Sequence, residues 1–404
     1  MLITQHASSS SRRGVTTEGL LKEIGGGTAA ELIMAVRYNT SPPGPTFIPD
    51  LDELILEGRP HPGGSSLQRG DLVELVGGSG SGKTSFLTFQ LLTSLLPASL
   101  PTSPFPVPLG GRCHHAALIQ PITHRSLIPS LRKGMRAHIL SCHPSATHAL
   151  IERTIKESLA RLRVYRIKPR WKDVALCLRS VLDGLNPYSS PPSPEEERGL
   201  NQGGGVDILV IEGLGDPYYP ARWMEEERGG KRSSMATGIG GGGGIGGKVV
   251  HADEVGMREV MHGIGRIRKE LGSVVMVSVH GLRTSRETQP FFLPHLPSPY
   301  PQPFSPQGDD NPNHALLRSS PTYWPLNIQL TFIGPVRNLQ YPGETTLVEA
   351  LREKVKAQGQ RQVARRYEGV VRMINVGGLA GTRGGGKFGF RIGEEGVQVW
   401  RDES

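Results

Sequence analysis

Cysteine is scarce in this chain of 404 residues: there are three, Cys113, Cys142 and Cys177. With no CxxC pair among them they provide no disulfide framework, and a reducing interior is the expected compartment. Long apolar runs are missing too. No segment approaches the roughly 18 consecutive apolar residues of a spanning helix, and "MLITQHASSSSRRG" holds no apolar stretch of signal-peptide length. The groups "CHH" at 113–115 and "CH" at 142–143 do not add up to a zinc site, because adjacent side chains on an extended segment point to opposite faces and the second pair stands alone. Hydrophobic residues make up only 36% of the chain, against 53 glycines and 33 prolines. That composition suits one core of roughly 200 to 250 residues carrying disordered insertions better than two full domains. No internal repeat is visible.

Positive charge, by contrast, is in excess. Lys and Arg number 46 against 37 Asp and Glu, a formal charge of +9 at pH 7. Such a balance suits an anionic partner, nucleic acid first, and equally a solvated basic surface with no partner. Residues 1–45 are rich in Ser, Gly and Pro, with one short helical pattern at "TAAELIMAVRY", and are expected to be a flexible leader. The ordered core is expected from "FIPDLDELI" onwards, over residues 46–400. A strand over Leu72–Val76 is followed by a helix over Thr84–Leu96 and an apolar run "AALI" at 116–119. Ile151, Ile155, Leu159 and Leu162, then Trp171, Val174, Leu178 and Val181, recur at helical spacing around a short strand "RVYRI". "VDILVIEG" at 206–213 reads as a central strand covered on both faces. A helix with Met257, Val260, Met261, Ile264, Ile267 and Leu271 on one face leads into the strand "SVVMVSVH".

Alternation of this kind predicts the α/β class: a mostly parallel central sheet with crossover helices. "NIQLTFI", "GVVRMINV", "KFGFRI" and "GVQVW" read as short antiparallel strands at the edge of that sheet. Low-complexity insertions, expected to be long disordered loops, fall at about 187–205, 225–252 and 283–322.

One stretch states a chemistry. In "DLVELVGGSGSGKTSFLTFQLL" the residues Gly77, Gly82, Lys83 and Thr84 satisfy G-x-x-x-x-G-K-[ST] between an apolar strand and an amphipathic helix. Gly77, Gly78, Ser79, Gly80, Ser81, Gly82, Lys83, Thr84 and Ser85 form the expected triphosphate cradle. Backbone N–H groups turn inward, Lys83 reaches the terminal phosphates, and the Thr84 hydroxyl is placed for Mg²⁺. Glu212, ending "ILVIE", is the candidate second Mg²⁺ partner, or else only caps its strand. A catalytic base is not identified: Gln120 and Ile122 stand where an acidic residue would be wanted, so ATP turnover is expected to be slow or absent. The stretch "REKVKAQGQRQVARRYEGVVR" at 352–372 reads as an exposed helix face or as a DNA-backbone contact with Tyr367 for stacking.

The segment "FIPDLDELILEG", the phosphate loop, "VDILVIEGLGDPYY" and "VVMVSVHG" together resemble the RecA-type recombinases and their eukaryotic paralogues. The resemblance covers residues 46–400 loosely, and only the phosphate loop is specific. It implies a RecA-like P-loop NTPase core that binds ATP and Mg²⁺. It also implies a nuclear role in double-strand break repair by homologous recombination, with the chain as an accessory protein that assembles with other recombinase paralogues on single-stranded or branched DNA to assist recombinase loading. Glu212 takes the place of the family's usual Asp. The family's catalytic Glu position falls near Ile122, and its phosphate-sensing Gln near Gly281, beside His280. The family's DNA-contacting loops would bring Arg222, Arg228, Lys231 and Arg232, and then Arg283 and Arg286, to DNA phosphates, unless these are solvated inserted loops, as the three carboxylates of "MEEER" among the cations equally suit. A small-molecule P-loop kinase or NTPase is the alternative reading of the same loop.

Overall fold

The computed structural model describes residues 43–59, 65–100, 105–184, 205–223, 255–283, 292–294, 296, 300, 328–335, 346, 348–349, 352, 365–373, 386–393 and 396–398. The described residues all belong to the compact unit Pro42–Ser404. The expected leader up to residue 42, with its "TAAELIMAVRY" helix, and nearly all of the three insertions lie outside the described residues, whereas residues 43–45 are described and Gly44 bridges to Leu67.

Helix α1, Pro49–Glu57, opens on a proline and carries Asp50 and Asp52 in its first turn, where its positive end favours them. Strand β1, Leu72–Gly77, feeds helix α2, Lys83–Leu95. A two-stranded ribbon, β2 (Ser99–Leu100) with β3 (Val107–Pro108), precedes β4, Ala116–Pro121. Helix α3, Ile128–Cys142, was not expected from the sequence; Pro129 starts it and Leu131, Met135 and Ile139, four apart, are its buried stripe. Helix α4, His148–Leu159, capped by the Thr147 hydroxyl, leads to β5, Leu162–Ile167, which takes Leu162 from the helical pattern. Helix α5, Trp171–Asp183, and β6, Ile208–Ile211, follow. Helix α6, Met257–Arg266, ends in a π-turn at Ile267–Leu271 before β7, Val274–Arg283. The remaining strands are β8 (Phe292–Pro294), β9 (Ile328–Pro335), β10 (Arg365–Met373), β11 (Gly386–Gly393) and β12 (Gly396–Gln398).

The main sheet runs β12-β11-β10-β9-β1-β7-β6-β4-β5, with β8 paired to β7. From β9 to β5 every ladder is parallel, and β10, β11 and β12 add antiparallel strands at the β9 side. This is an α/β fold with a large, mostly parallel central sheet. Alternation along the strands divides the core between two faces. Leu75, Leu118, Val210 and Met276 pack with α1 to α4. Leu72, Ile119, Leu209 and Val277 pack with α5 and α6. Among the described residues no helix is long and apolar enough to cross a membrane.

One strand position breaks the apolar rule. Glu74, in the middle of β1, is fully buried. Its neighbours satisfy it: the Tyr300 hydroxyl donates to one carboxyl oxygen at 2.6 Å and Gln329 Nε2 to the other at 2.6 Å. Gln329 sits opposite Glu74 across the β1–β9 ladder, and Arg372, opposite Gln329 on β10, donates to its amide oxygen. Burial outweighs these donors and raises the Glu74 carboxyl from 4.5 to about 7.

A second feature concerns the antiparallel strands. Phe332, Tyr367, Phe388 and Phe390 pack on one another in stacked and edge-on contacts, and Phe332 and Phe390 meet Phe86 of α2. Tyr367 is 9% exposed and stacks on Phe390, so it offers no surface to a nucleic-acid base, contrary to the sequence reading. Residues 365–373 of the basic stretch form a strand, not a helix face, and 353–364 lie outside the described residues.

Two expectations follow. The fold favours the protonated Glu74, so the stability it adds is complete below pH 4.5 and lost as pH rises to about 7. Glu74→Gln should flatten that fall, worth on the order of a few kcal/mol, in urea midpoints measured across the window; an unchanged slope would contradict a neutral carboxyl. Gly82 has φ 101 and a Cβ there would lie 3.1 Å from the Tyr367 ring, whereas a Cβ on Gly78 would meet nothing within 4 Å. Gly82→Ala should cost roughly 1–3 kcal/mol by chemical denaturation and Gly78→Ala close to none.

Candidate functional site

All parallel strands end on the same side of the sheet, and the sequence-predicted loop lies there. Gly77 ends β1, residues 78–82 turn, and Lys83 opens α2. Gly80 and Gly82 take positive φ values of 72° and 101°, a backbone region that glycine reaches without strain. Gly77 is needed for closeness: a Cβ there would stand 2.6 Å from the Phe332 carbonyl oxygen. No side chain caps the start of α2, so its first N–H groups face outward with the helix's partial positive charge.

Lys83 Nζ donates to the carbonyl oxygens of Gly77 at 2.5 Å and Gly78 at 2.7 Å, and to Ser81 Oγ at 3.3 Å. Burial lowers its ammonium from 10.5 to about 8, partly opposed by the charge of Glu212. Ser79 is exposed and Ser81 buried, while Thr84 is exposed on the first turn of α2. A cavity of about 360 Å³ opens at Thr84 and Ser85, bounded by Phe89 of α2, Gly134 of α3 and Val397 of β12.

Glu212 directly follows β6 and is 5% exposed. The Thr84 hydroxyl donates to its Oε1 at 2.9 Å, which brings the two sequence-predicted Mg²⁺ partners together across the intervening strand β7. Gln120, at the end of β4, donates its amide to Oε2, and His124 Nδ1 stands 3.6 Å from the same oxygen. Burial pushes the Glu212 carboxyl up, but His124, Gln120 and Thr84 outweigh it and hold the group below its ordinary range. A hydroxyl and one ionised carboxylate are the donor set Mg²⁺ takes when phosphates and waters complete its octahedron. Among the described residues no group of three or more His, Cys, Asp and Glu side chains is arranged to hold a metal by itself.

The sequence reading missed the next layer. His124 Nε2 lies 2.8 Å from Asp216 Oδ2, and the pairing with Asp216, then with the nearby Glu212 carboxylate, raises the imidazole from 6.5 to about 10. Gly213, at φ 66, makes the turn that returns Asp216 over His124; a Cβ there would be 2.7 Å from the Asp216 carboxylate and 2.8 Å from the imidazole. Its N–H donates to Ser278 Oγ at 3.0 Å. From β5, Arg166 donates to the Gln120 side chain and to the carbonyl oxygens of Ile122 at 3.1 Å and His124 at 2.8 Å, fixing the turn after β4. The only sequence signal for these residues was the glycine in "EGLGD" and the proximity of "QPITH" to a strand end.

Ile122 is 51% exposed and carries no chemistry, and His280, in register with Gly77 on β7, is exposed. Arg222 lies exposed on a short helical segment, 218–223, between exposed Tyr219 and Trp223. Arg283 closes β7 opposite Phe292. Arg228, Lys231, Arg232 and Arg286 lie outside the described residues. In comparisons with known proteins the chain matches no protein-family model and no curated protein.

Proposed function

We propose that the chain is an ATP-binding protein that holds Mg²⁺·ATP and turns it over slowly or not at all, with a RecA-like P-loop core. The meeting of Thr84 with Glu212 beside Lys83, at the carboxyl end of a parallel sheet, carries this reading. Residues 77–85 would wrap the phosphates with backbone N–H groups, Lys83 would leave the loop carbonyls for the terminal phosphates, and the cavity at Ser85 would take the nucleoside. When bound, Mg²⁺ would neutralise phosphate charge, and Thr84 and Glu212 are the side chains that would hold it.

The same geometry supports slow or absent turnover. No acidic side chain stands on β4 where a base would be wanted: Gln120 is committed to Glu212 and Ile122 points into solvent. Asp216 is occupied by His124. A cradle with no base available among the described residues is suited to holding a nucleotide.

The wider role rests on the resemblance to RecA-type paralogues, nearest to the branch of X-ray repair cross-complementing protein two. It would be a nuclear accessory in homologous recombination that assembles with another recombinase paralogue on single-stranded or branched DNA. Arg222 between Tyr219 and Trp223 suits phosphate contact beside two stacking surfaces.

The full-length protein should bind a fluorescent ATP analogue with Mg²⁺, and Lys83→Ala should weaken binding roughly tenfold or more, about 1.4 kcal/mol. Binding indifferent to Lys83 would overturn the cradle, and a multiple-turnover ATPase rate lost on Lys83→Ala would overturn the slow-turnover reading. Affinity purification from cells should recover a recombinase-like chain, and single-stranded DNA binding should fall steeply with salt; neither result appearing would remove the recombination role.

A further inference from the structure

In the reading above His124 serves only to occupy Asp216, and the geometry gives it a further role. Glu212 has two carboxylate oxygens with different partners: Oε1 faces the Thr84 hydroxyl, while Oε2 receives the Gln120 amide and lies 3.6 Å from His124 Nδ1. A carboxylate held by one oxygen alone could swing about its last torsion, which for an acidic side chain is broad. With Gln120 donating to Oε2 and the His124 imidazole within ion-pair distance of the same oxygen, the group presents Oε1 in one direction. His124 is itself fixed at its other nitrogen by Asp216 at 2.8 Å. Its backbone is fixed by Arg166, which takes the His124 carbonyl at 2.8 Å. Gly213 is the residue that permits this, since any side chain there would strike both Asp216 and His124.

We propose that His124, anchored by Asp216, is a positioning residue that aims Glu212 Oε1 at the divalent cation accompanying a bound nucleotide. The proposal deepens the nucleotide-binding reading and rests on it. His124 does not touch the nucleotide in this scheme; it acts through Glu212. Removing a residue that orients a ligand costs metal affinity while leaving the remaining contacts intact. The measurable signature is the part of nucleotide affinity that depends on the cation, not nucleotide affinity as a whole.

The test measures dissociation constants of a methylanthraniloyl-ATP analogue for the full chain, once in Mg²⁺ and once in EDTA. The ratio of the EDTA value to the Mg²⁺ value reports cation coupling. His124→Ala should lower that ratio on the order of tenfold while the EDTA value stays close to that of the unmodified chain. His124→Gln, which keeps an N–H able to reach Asp216, should restore part of it. Asp216→Asn, which keeps the shape and weakens the anchor, should lower the ratio by a smaller factor, and serves should His124→Ala fail to fold. An unchanged ratio in these variants, with binding still lost in Lys83→Ala, would overturn the positioning role and leave the cradle standing. A raised ratio would mean that His124 acts only as a counter-charge, and would overturn the proposal equally. Absence of binding in the unmodified chain would overturn both readings.

Discussion

A carboxylate placed nearly out of water must be met by donors or take up a proton. Glu212 is placed so, at the end of a central strand, and much of the site's arrangement follows from meeting its charge. Thr84 comes from the start of α2, Gln120 from the end of β4 and His124 from the turn beyond. Each of these is then held in turn: Gln120 and the turn by Arg166 of β5, His124 by Asp216. One charge therefore ties β1, β4, β5 and β6 together at their carboxyl ends. The sheet's parallel direction is what makes this possible, because it delivers all four ends to one side.

The same sheet buries a second glutamate and handles it the opposite way. Glu74 meets neutral donors, Tyr300 and Gln329, with Arg372 one side chain farther off, and its carboxyl rises to about 7. Glu212 meets an imidazole paired with a further carboxylate, and stays ionised. The difference lies in position along the strand. Mid-strand, Glu74 is enclosed by two packed faces and an adjoining ladder, where a full charge is costly. At the strand end Glu212 borders the mouth of the phosphate loop, where Thr84 is exposed and Lys83 supplies a nearby cation. A carboxyl whose protonated form is favoured within a ladder serves pairing between β1, β9 and β10; one kept charged at a mouth is available to a cation.

The sequence made the strands legible because a parallel sheet covered on both faces needs unbroken apolar runs, as at Ile208–Ile211. It made the cradle legible because glycine, lysine and threonine at that spacing have few other uses. It hid α3, whose apolar stripe of Leu131, Met135 and Ile139 is narrow and interrupted by cations. It also hid His124, since a histidine after a strand carries no period and gains meaning only when Asp216 and Glu212 arrive from 88 and more positions away. Tyr367 misled for a related reason. Its basic neighbours Arg365 and Arg366 are exposed, but strand alternation turns the ring inward onto Phe390.

The antiparallel strands at the β9 side also shape the cradle. Gly82 rests against Tyr367, Ile392 and Phe390, and the cavity at Ser85 has Ile392 and Val397 as one wall. Phe86, one turn into α2, packs on Phe332 and Phe390. Residues near positions 80 and 390 thus meet to fix the left-handed backbone at Gly82. Contacts of such separation form only after the intervening chain has closed, at an entropic cost that local contacts do not carry. The phosphate loop is specified by nine consecutive residues, Gly77 to Ser85, yet its conformation depends on strands laid down near the end of the chain. A change that loosens β10 or β11 therefore reaches the loop directly, through Tyr367, Phe390 and Ile392 against Gly82.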